Sequence, residues 1–173
     1  LAELRGWSQF IGLQVEYSLI KRDVERELLP MARQLGMSIA AWSPLASGIL
    51  SGKYHRPLNG DSRRLDKSPM ATVNNRGLDI AREVAVVADQ LGQKSAPVAL
   101  NWLRSKRGVI PLLGVRTLEQ LQENLSCLEF QLDPEQIAHL DAASDFELGY
   151  PHDFQARTRS LVYGGYQDVV DCY

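Results

Sequence analysis

The sequence predicts an α/β fold built on a parallel β-sheet, and three observations predict it. Short apolar runs alternate along the 173 residues with stretches whose apolar side chains recur at helical spacing. The segments follow the order β-α-β-α-α-β-α-α, and strands separated by helices pair in parallel through right-handed crossovers. Prolines and glycines fall near the boundaries, where helix starts and stops place them.

The first apolar run is Ile11-Gly12-Leu13-Gln14-Val15, ending at Glu16-Tyr17. Asp23 to Leu35 reads as a helix with Val24, Leu28 and Leu35 on its apolar face and Gly36 as its stop. Pro30 inside it implies either a kink or a regular part that starts at Pro30. Ser38-Ile39-Ala40-Ala41-Trp42 is the second strand. Leu78, Ala81, Val84, Ala85, Ala88 and Leu91 form an apolar stripe ending at Gly92, and Pro97 opens a helix carrying Val98, Leu100, Trp102 and Leu103. The third strand is Val109-Ile110-Pro111-Leu112-Leu113. Thr117-Leu118-Glu119-Gln120 reads as a capping box for a helix to about Leu125. A last helix, about 134–143, takes Asp133 as N-cap and Pro134 at its first position.

Three parallel strands cannot stand alone. A parallel sheet is covered on both faces, so these runs need a closed barrel or an open sheet of more strands. By itself the chain presents two unpaired strand edges.

Composition narrows the function. With 45% hydrophobic and 23% charged residues the chain is neither disordered nor collagen-like. No run approaches the roughly 20 apolar residues of a membrane-spanning helix. A formal net charge of −2 gives no footprint for nucleic acid or an anionic membrane. Cys127 and Cys172 make no disulfide scaffold, no Cys/His cluster has metal-ligand spacing, and no signal-peptide pattern is present, so a cytoplasmic protein without a metal is expected.

Two places carry chemistry. In Ile110-Pro111-Leu112-Leu113-Gly114-Val115-Arg116-Thr117 a strand runs into a glycine, an arginine and a helix start. Helix N-termini suit phosphate, Gly114 admits close backbone approach, and the Arg116 guanidinium can fork onto a phosphate. Gln120, Glu123 and Asn124 follow down that helix and can hydrogen-bond a base or ribose; the plain alternative is an ordinary capped helix with solvated polar residues. The second place is Trp42-Ser43-Pro44-Leu45 at a strand's carboxyl end, where ligands collect in parallel α/β folds. The indole there is either core filler or a stacking platform, and Gln14 near another strand end can fix an amide. The connection from Ser43 to about Arg76 exceeds the roughly 12–15 residues usual for a structureless loop. It reads either as a solvated loop or, through Arg63 and its neighbours, as one folding over an anionic ligand. Walker spacing is absent around Gly52-Lys53, His55, His139 and His152 build no triad, and the sequon Asn124-Leu125-Ser126 falls mid-helix.

Together these residues resemble the C-terminal half of an aldo-keto reductase. The resemblance rests on Gln14-Val15-Glu16-Tyr17-Ser18-Leu19, on the Asp23-to-Gly36 segment, and on Ala41-Trp42-Ser43-Pro44-Leu45-Ala46-Ser47-Gly48-Ile49-Leu50-Ser51-Gly52-Lys53-Tyr54. It resumes at Val109-Ile110-Pro111 and runs through Gly114-Val115-Arg116-Thr117 to Gln120-Leu121-Gln122-Glu123-Asn124-Leu125, covering most of positions 10–145.

The resemblance implies a (β/α)8 barrel in which the three strands are the sixth to eighth, and hydride transfer between NADPH and a carbonyl or alcohol. It implies that Gln14 holds the nicotinamide carboxamide, Trp42 stacks on that ring, and Ser43, Pro44, Leu45, Ala46 and Ser47 wrap the pyrophosphate. Lys53 would pair with phosphate, with Arg63 closing from the long loop. Gly114 and Arg116 would face the 2′-phosphate, and Gln120, Glu123 and Asn124 the adenine. Leu113 stands where the family's pattern often has a proline, with little effect expected; Val115 stands where it often has a hydroxyl residue, so the 2′-phosphate preference rests on Arg116. The family's catalytic Asp, Tyr, Lys and His belong to the N-terminal half, so no catalytic residue is assigned. The expectation is a single domain over residues 1–173, the cofactor-binding portion of a longer reductase. It would be completed by a complementary N-terminal half or by self-association. The second expectation is a non-catalytic nucleotide-binding half-barrel, or a regulatory subunit similar to the potassium-channel β subunits.

Overall fold

Three short strands form one parallel sheet in chain order: β1 (Gly12–Glu16), β2 (Ser38–Trp42) and β3 (Val109–Pro111). The computed structural model describes residues 1–53 and 74–166. Arg63, Tyr54, His55 and Cys172 therefore lie outside the described residues. The helices are α1 (Ala2–Arg5), α2 (Leu28–Gln34), α3 (Asn75–Leu91), α4 (Ser95–Ser105), α5 (Leu118–Leu125), α6 (Pro134–Ala143) and α7 (His152–Tyr163). The β-α-β-α-α-β-α-α order holds. The third strand stops at Pro111, two residues short of its expected end, although the Leu112 N–H still donates to the Ala41 carbonyl at 2.8 Å.

Register decides what the sheet does. Gln14 lies beside Ala40, Ala40 beside Ile110, and Glu16 beside Trp42. Side chains alternate across a strand, so Gln14, Glu16, Ala40, Trp42 and Ile110 share one face and Val15, Ile39, Ala41 and Val109 the other. The second face is buried under helices, together with Leu29, Ala32, Ile80, Val84, Trp102 and Leu140. Each such fully buried large side chain is worth about 2 kcal/mol of transfer free energy. No described helix covers the first face: Gln14 is exposed and Ile110 is 58% exposed.

Several helix starts and phases depart from expectation. The Asp23–Leu35 segment is a 3-10 turn, Asp23–Glu25, followed by α2, and Pro30 is the third residue of α2. First-turn N–H groups have no intrahelical partner, so proline fits there without a kink. The break resets the phase: Val24, Leu29 and Ala32 are buried, while Leu28 and Leu35 are exposed. Helix α4 likewise begins two residues before Pro97, and everything from Ala96 to Leu103 is buried. In α3 the buried stripe includes Ile80 and Val87, and Leu78, Ala85 and Leu91 sit at its margin. Gly92, at φ +63°, ends that helix in the left-handed region that favours glycine.

A polar seam joins distant segments behind the sheet. The Tyr17 hydroxyl donates to Glu25 at 2.8 Å, and the Arg22 guanidinium forks onto the same carboxylate at 2.7 and 2.9 Å. Arg22 lies over the Trp102 and Phe146 rings, with centroids at 5.4 and 5.6 Å. Asp141 accepts from the Trp102 indole N–H at 2.9 Å and from Lys106 at 2.7 Å. Arg22, Arg26 and Arg76 also donate to the carbonyls of Asp141, Ser144, Asp145, Glu147 and Leu148. Arg76 is therefore a helix residue of α3, not the end of a loop. Helix α7, which the sequence left unassigned, buries none of its residues.

Candidate functional site at the carboxyl ends of the strands

In a parallel sheet all strands deliver their following loops to one end. Here that end collects the residues after β2 and β3, beside Gln14 of β1. Gln14 and Trp42 share the open face on adjacent strands, two positions apart in register, roughly 8 Å by strand rise and spacing. Trp42 is half-buried: its ring is not core filler, in contrast to Trp102, which is fully buried behind the sheet.

The chain leaves Trp42 in an unusual conformation. Ser43, Ala46 and Ser47 have φ of 53°, 48° and 57°, and Gly48 follows at 96°. Left-handed backbone at three non-glycine residues is costly and persists only where its surroundings fix it. Those surroundings are Pro44, Ile49 and Leu50, all buried, and hydrogen bonds from Ala46 N–H to the Ser43 carbonyl and from Gly48 N–H to the Leu45 carbonyl, each 2.9 Å. The Leu50 N–H also donates to the Leu45 carbonyl, at 3.2 Å, so the loop closes on its own carbonyls. The 3-10 turn Ala46–Ser51 packs on α3 and α4. Gly52, at φ +78°, lets it do so, since a Cβ there would meet the Ser95 hydroxyl oxygen at 3.0 Å. Lys53 follows, exposed.

After β3, Gly114 and Arg116 are exposed. The expected capping box at α5 is only half formed. The Thr117 side chain accepts from Gln120 N–H at 3.3 Å, but the Gln120 side chain reaches past Thr117 to accept from Arg116 N–H at 2.9 Å. Glu119, in the same turn, has its carboxyl held below the usual range by its own backbone N–H and the Thr117 hydroxyl.

The three polar residues of α5 differ in exposure and in partners. Glu123 accepts from Lys94 at 2.8 Å, whereas Asn124 is buried. Burial of Asn124 also disposes of the sequon. A cleft of about 450 Å³ lies beside the Lys94–Glu123 pair, lined by Gly92, Gln93, Lys94, Glu119, Gln122, Glu123 and Ser126. Lys94 and Gln93 were not among the sequence candidates; they sit in the α3–α4 connection, where no spacing rule points to them. Cys127 is buried and its thiol is pushed up by that burial, so it makes no nucleophile. Among the described residues no group of three His, Cys, Asp or Glu could hold a metal, and no helix is long and apolar enough to cross a membrane.

Comparison with known proteins settles the family. The sequence profile of the Aldo/keto reductase family matches residues 1–145. The chain belongs to the aldo-keto reductase family. It is 33% identical over 158 residues to a probable aryl-alcohol dehydrogenase of Saccharomyces cerevisiae, a match covering 88% of this chain and 48% of the yeast protein. It is 35% identical over 141 residues to an uncharacterized oxidoreductase of Bacillus subtilis, covering 81% of this chain and 42% of that one. Among solved structures, a thermostable aldo-keto reductase in complex with the inhibitor epalrestat superimposes with a TM-score of 0.55 at 26% identity, over 75% of this chain and 38% of that one. The chain thus spans about half, or less, of the length of these aldo-keto reductase relatives.

Proposed function

We propose that this aldo-keto reductase chain is the cofactor-binding portion of an NADP(H)-dependent oxidoreductase, its sheet being strands six to eight of a (β/α)8 barrel. The observation that carries this reading is the placement of Trp42 and Gln14 on one open sheet face, two register positions apart, with Trp42 directly before a loop held in left-handed backbone. A flat aromatic platform, an amide on the same sheet face and a polar turn carrying Ser43 and Ser47 suit a nicotinamide nucleotide, so the residues fit the group.

When bound, the dinucleotide supplies hydride to a carbonyl substrate or receives it from an alcohol. The chain's own residues bind and orient. Trp42 offers its ring face to the nicotinamide and Gln14 its amide to the carboxamide. Ser43, Pro44, Leu45, Ala46 and Ser47 surround the pyrophosphate, with Lys53 neutralising charge; Arg63 is proposed beside it, outside the described residues. Gly114 and Arg116 take the 2′-phosphate, with Gln120 beside Arg116, and Glu123 and Asn124 border the adenine. The remaining barrel strands, with the groups that move the proton, come from a complementary N-terminal portion.

The test is nucleotide affinity of Arg116→Ala. A charge-assisted hydrogen bond to phosphate is worth about 1.5–3 kcal/mol, so NADPH should weaken about tenfold or more, with NADH changed by less than about twofold. Equal loss of both would contradict the 2′-phosphate assignment.

A further inference from the structure

The two capping glutamines of this chain behave differently, and the difference lies in the site. At α6, Asp133 accepts from Gln136 N–H at 2.8 Å and the Gln136 side chain accepts from Asp133 N–H at 3.0 Å, a closed reciprocal box. At α5 the residue in the equivalent position is again a glutamine, Gln120. Its amide oxygen passes over the N-cap residue Thr117 and accepts from the N–H of Arg116 instead. The partner is an N–H, so the oxygen and not the amino group of the side chain must face it. Gln120 is half-buried and already engaged, while the Arg116 side chain beside it is exposed.

We propose that Gln120 is a positioning residue for Arg116, fixing the backbone from which the guanidinium projects and thereby setting the preference for a 2′-phosphorylated dinucleotide. The proposal rests on the cofactor reading above and changes what Gln120 contributes to it. A residue that only bordered the adenine would act on both dinucleotides alike, because both carry adenine. A residue that orders Arg116 acts on the phosphorylated one alone. Without that acceptor, the segment between β3 and α5 must be ordered when the nucleotide binds, and fixing one residue's backbone is enough to cost severalfold in affinity.

Gln120→Leu tests this. It removes the acceptor but keeps the backbone N–H that donates to Thr117, so the start of α5 retains its cap. NADPH and NADH affinities are measured by fluorescence titration for the unsubstituted chain, Gln120→Leu, Arg116→Ala and the double variant. The expected result is an NADPH affinity about fivefold weaker in Gln120→Leu, with NADH within about twofold. In the Arg116→Ala background Gln120→Leu should cause no further loss, because nothing is left to position. Parallel weakening of NADPH and NADH, additive with Arg116→Ala, would overturn the proposal and return Gln120 to a direct adenine contact. Unchanged affinities would overturn it as well. Failure of the unsubstituted chain to bind either dinucleotide would overturn the cofactor reading itself, and this proposal with it.

Discussion

Tyr17 illustrates how one side chain ties a strand end to helices far along the chain. Its ring is buried against Trp102, with centroids 5.6 Å apart, and its hydroxyl donates to Glu25. Burial first, then the Glu25 carboxylate, pushes its pKa well above the ordinary tyrosine value of 10. A group whose folded pKa is raised contributes stability that is fully present below its unfolded pKa and lost as pH rises through the folded one. We therefore expect stability to fall as pH climbs above about 10. Tyr17→Phe should remove part of that alkaline slope; urea unfolding between pH 9 and 11 checks it, and identical slopes would remove Tyr17 from the account. At this scale the sequence was informative where a residue type has few uses. Gln14 and Trp42 stand out at strand ends because a glutamine on an otherwise apolar strand and an indole before Ser-Pro have chemistry to offer. The Lys94–Glu123 and Arg22–Asp141 pairs were not legible, since ion pairs between distant segments leave no periodic trace.

At the scale of elements, the N-cap side chains Thr117 and Asp133 were legible and helix phase was not. Asp133 and Pro134 start α6 as expected, because a short acceptor side chain and a fixed φ act locally. We expect Asp133→Ala to destabilise the fold by about 1 kcal/mol, measured by urea denaturation, with the midpoint shifted and the denaturant dependence unchanged. The 23–35 segment went wrong in phase because a 3-10 turn precedes α2, and a turn of three residues per winding moves every later side chain round the axis. Helix α4 starts two residues before the expected Pro97, and Pro30 marks neither a kink nor the start of α2, for a related reason: proline is tolerated anywhere in the first turn, not only at its first position. At α5, Thr117 and Gln120 satisfied the pattern of a capping box, but the N–H of Arg116, one residue before the cap, is the donor the glutamine takes.

On the scale of the whole molecule, the buried and open faces of the sheet give opposite instructions. Behind it, the apolar core and the Arg22–Asp141 seam are closed. In front, Ile110 at 58% and Leu112 at 40% exposure lie on a parallel sheet that by rule is covered on both sides. This follows from the strand count the sequence already gave away: three parallel strands neither close a barrel nor hide their edges. We expect the isolated chain to self-associate through this face and its strand edges. Sedimentation velocity should show association growing with concentration, and Ile110→Lys with Leu112→Lys should shift it toward monomer. A concentration-independent monomer would argue that the open face needs no complement.

We propose that this open face, at its carboxyl end, receives a nicotinamide ring. Tryptophan fluorescence under NADPH titration tests it most directly, because the chain has three tryptophans in different places: Trp42 on the face, Trp102 buried behind the sheet and Trp7 exposed near α1. The expected result is a saturable quench that Trp42→Phe largely abolishes. A quench that survives Trp42→Phe, or none that saturates, would contradict it.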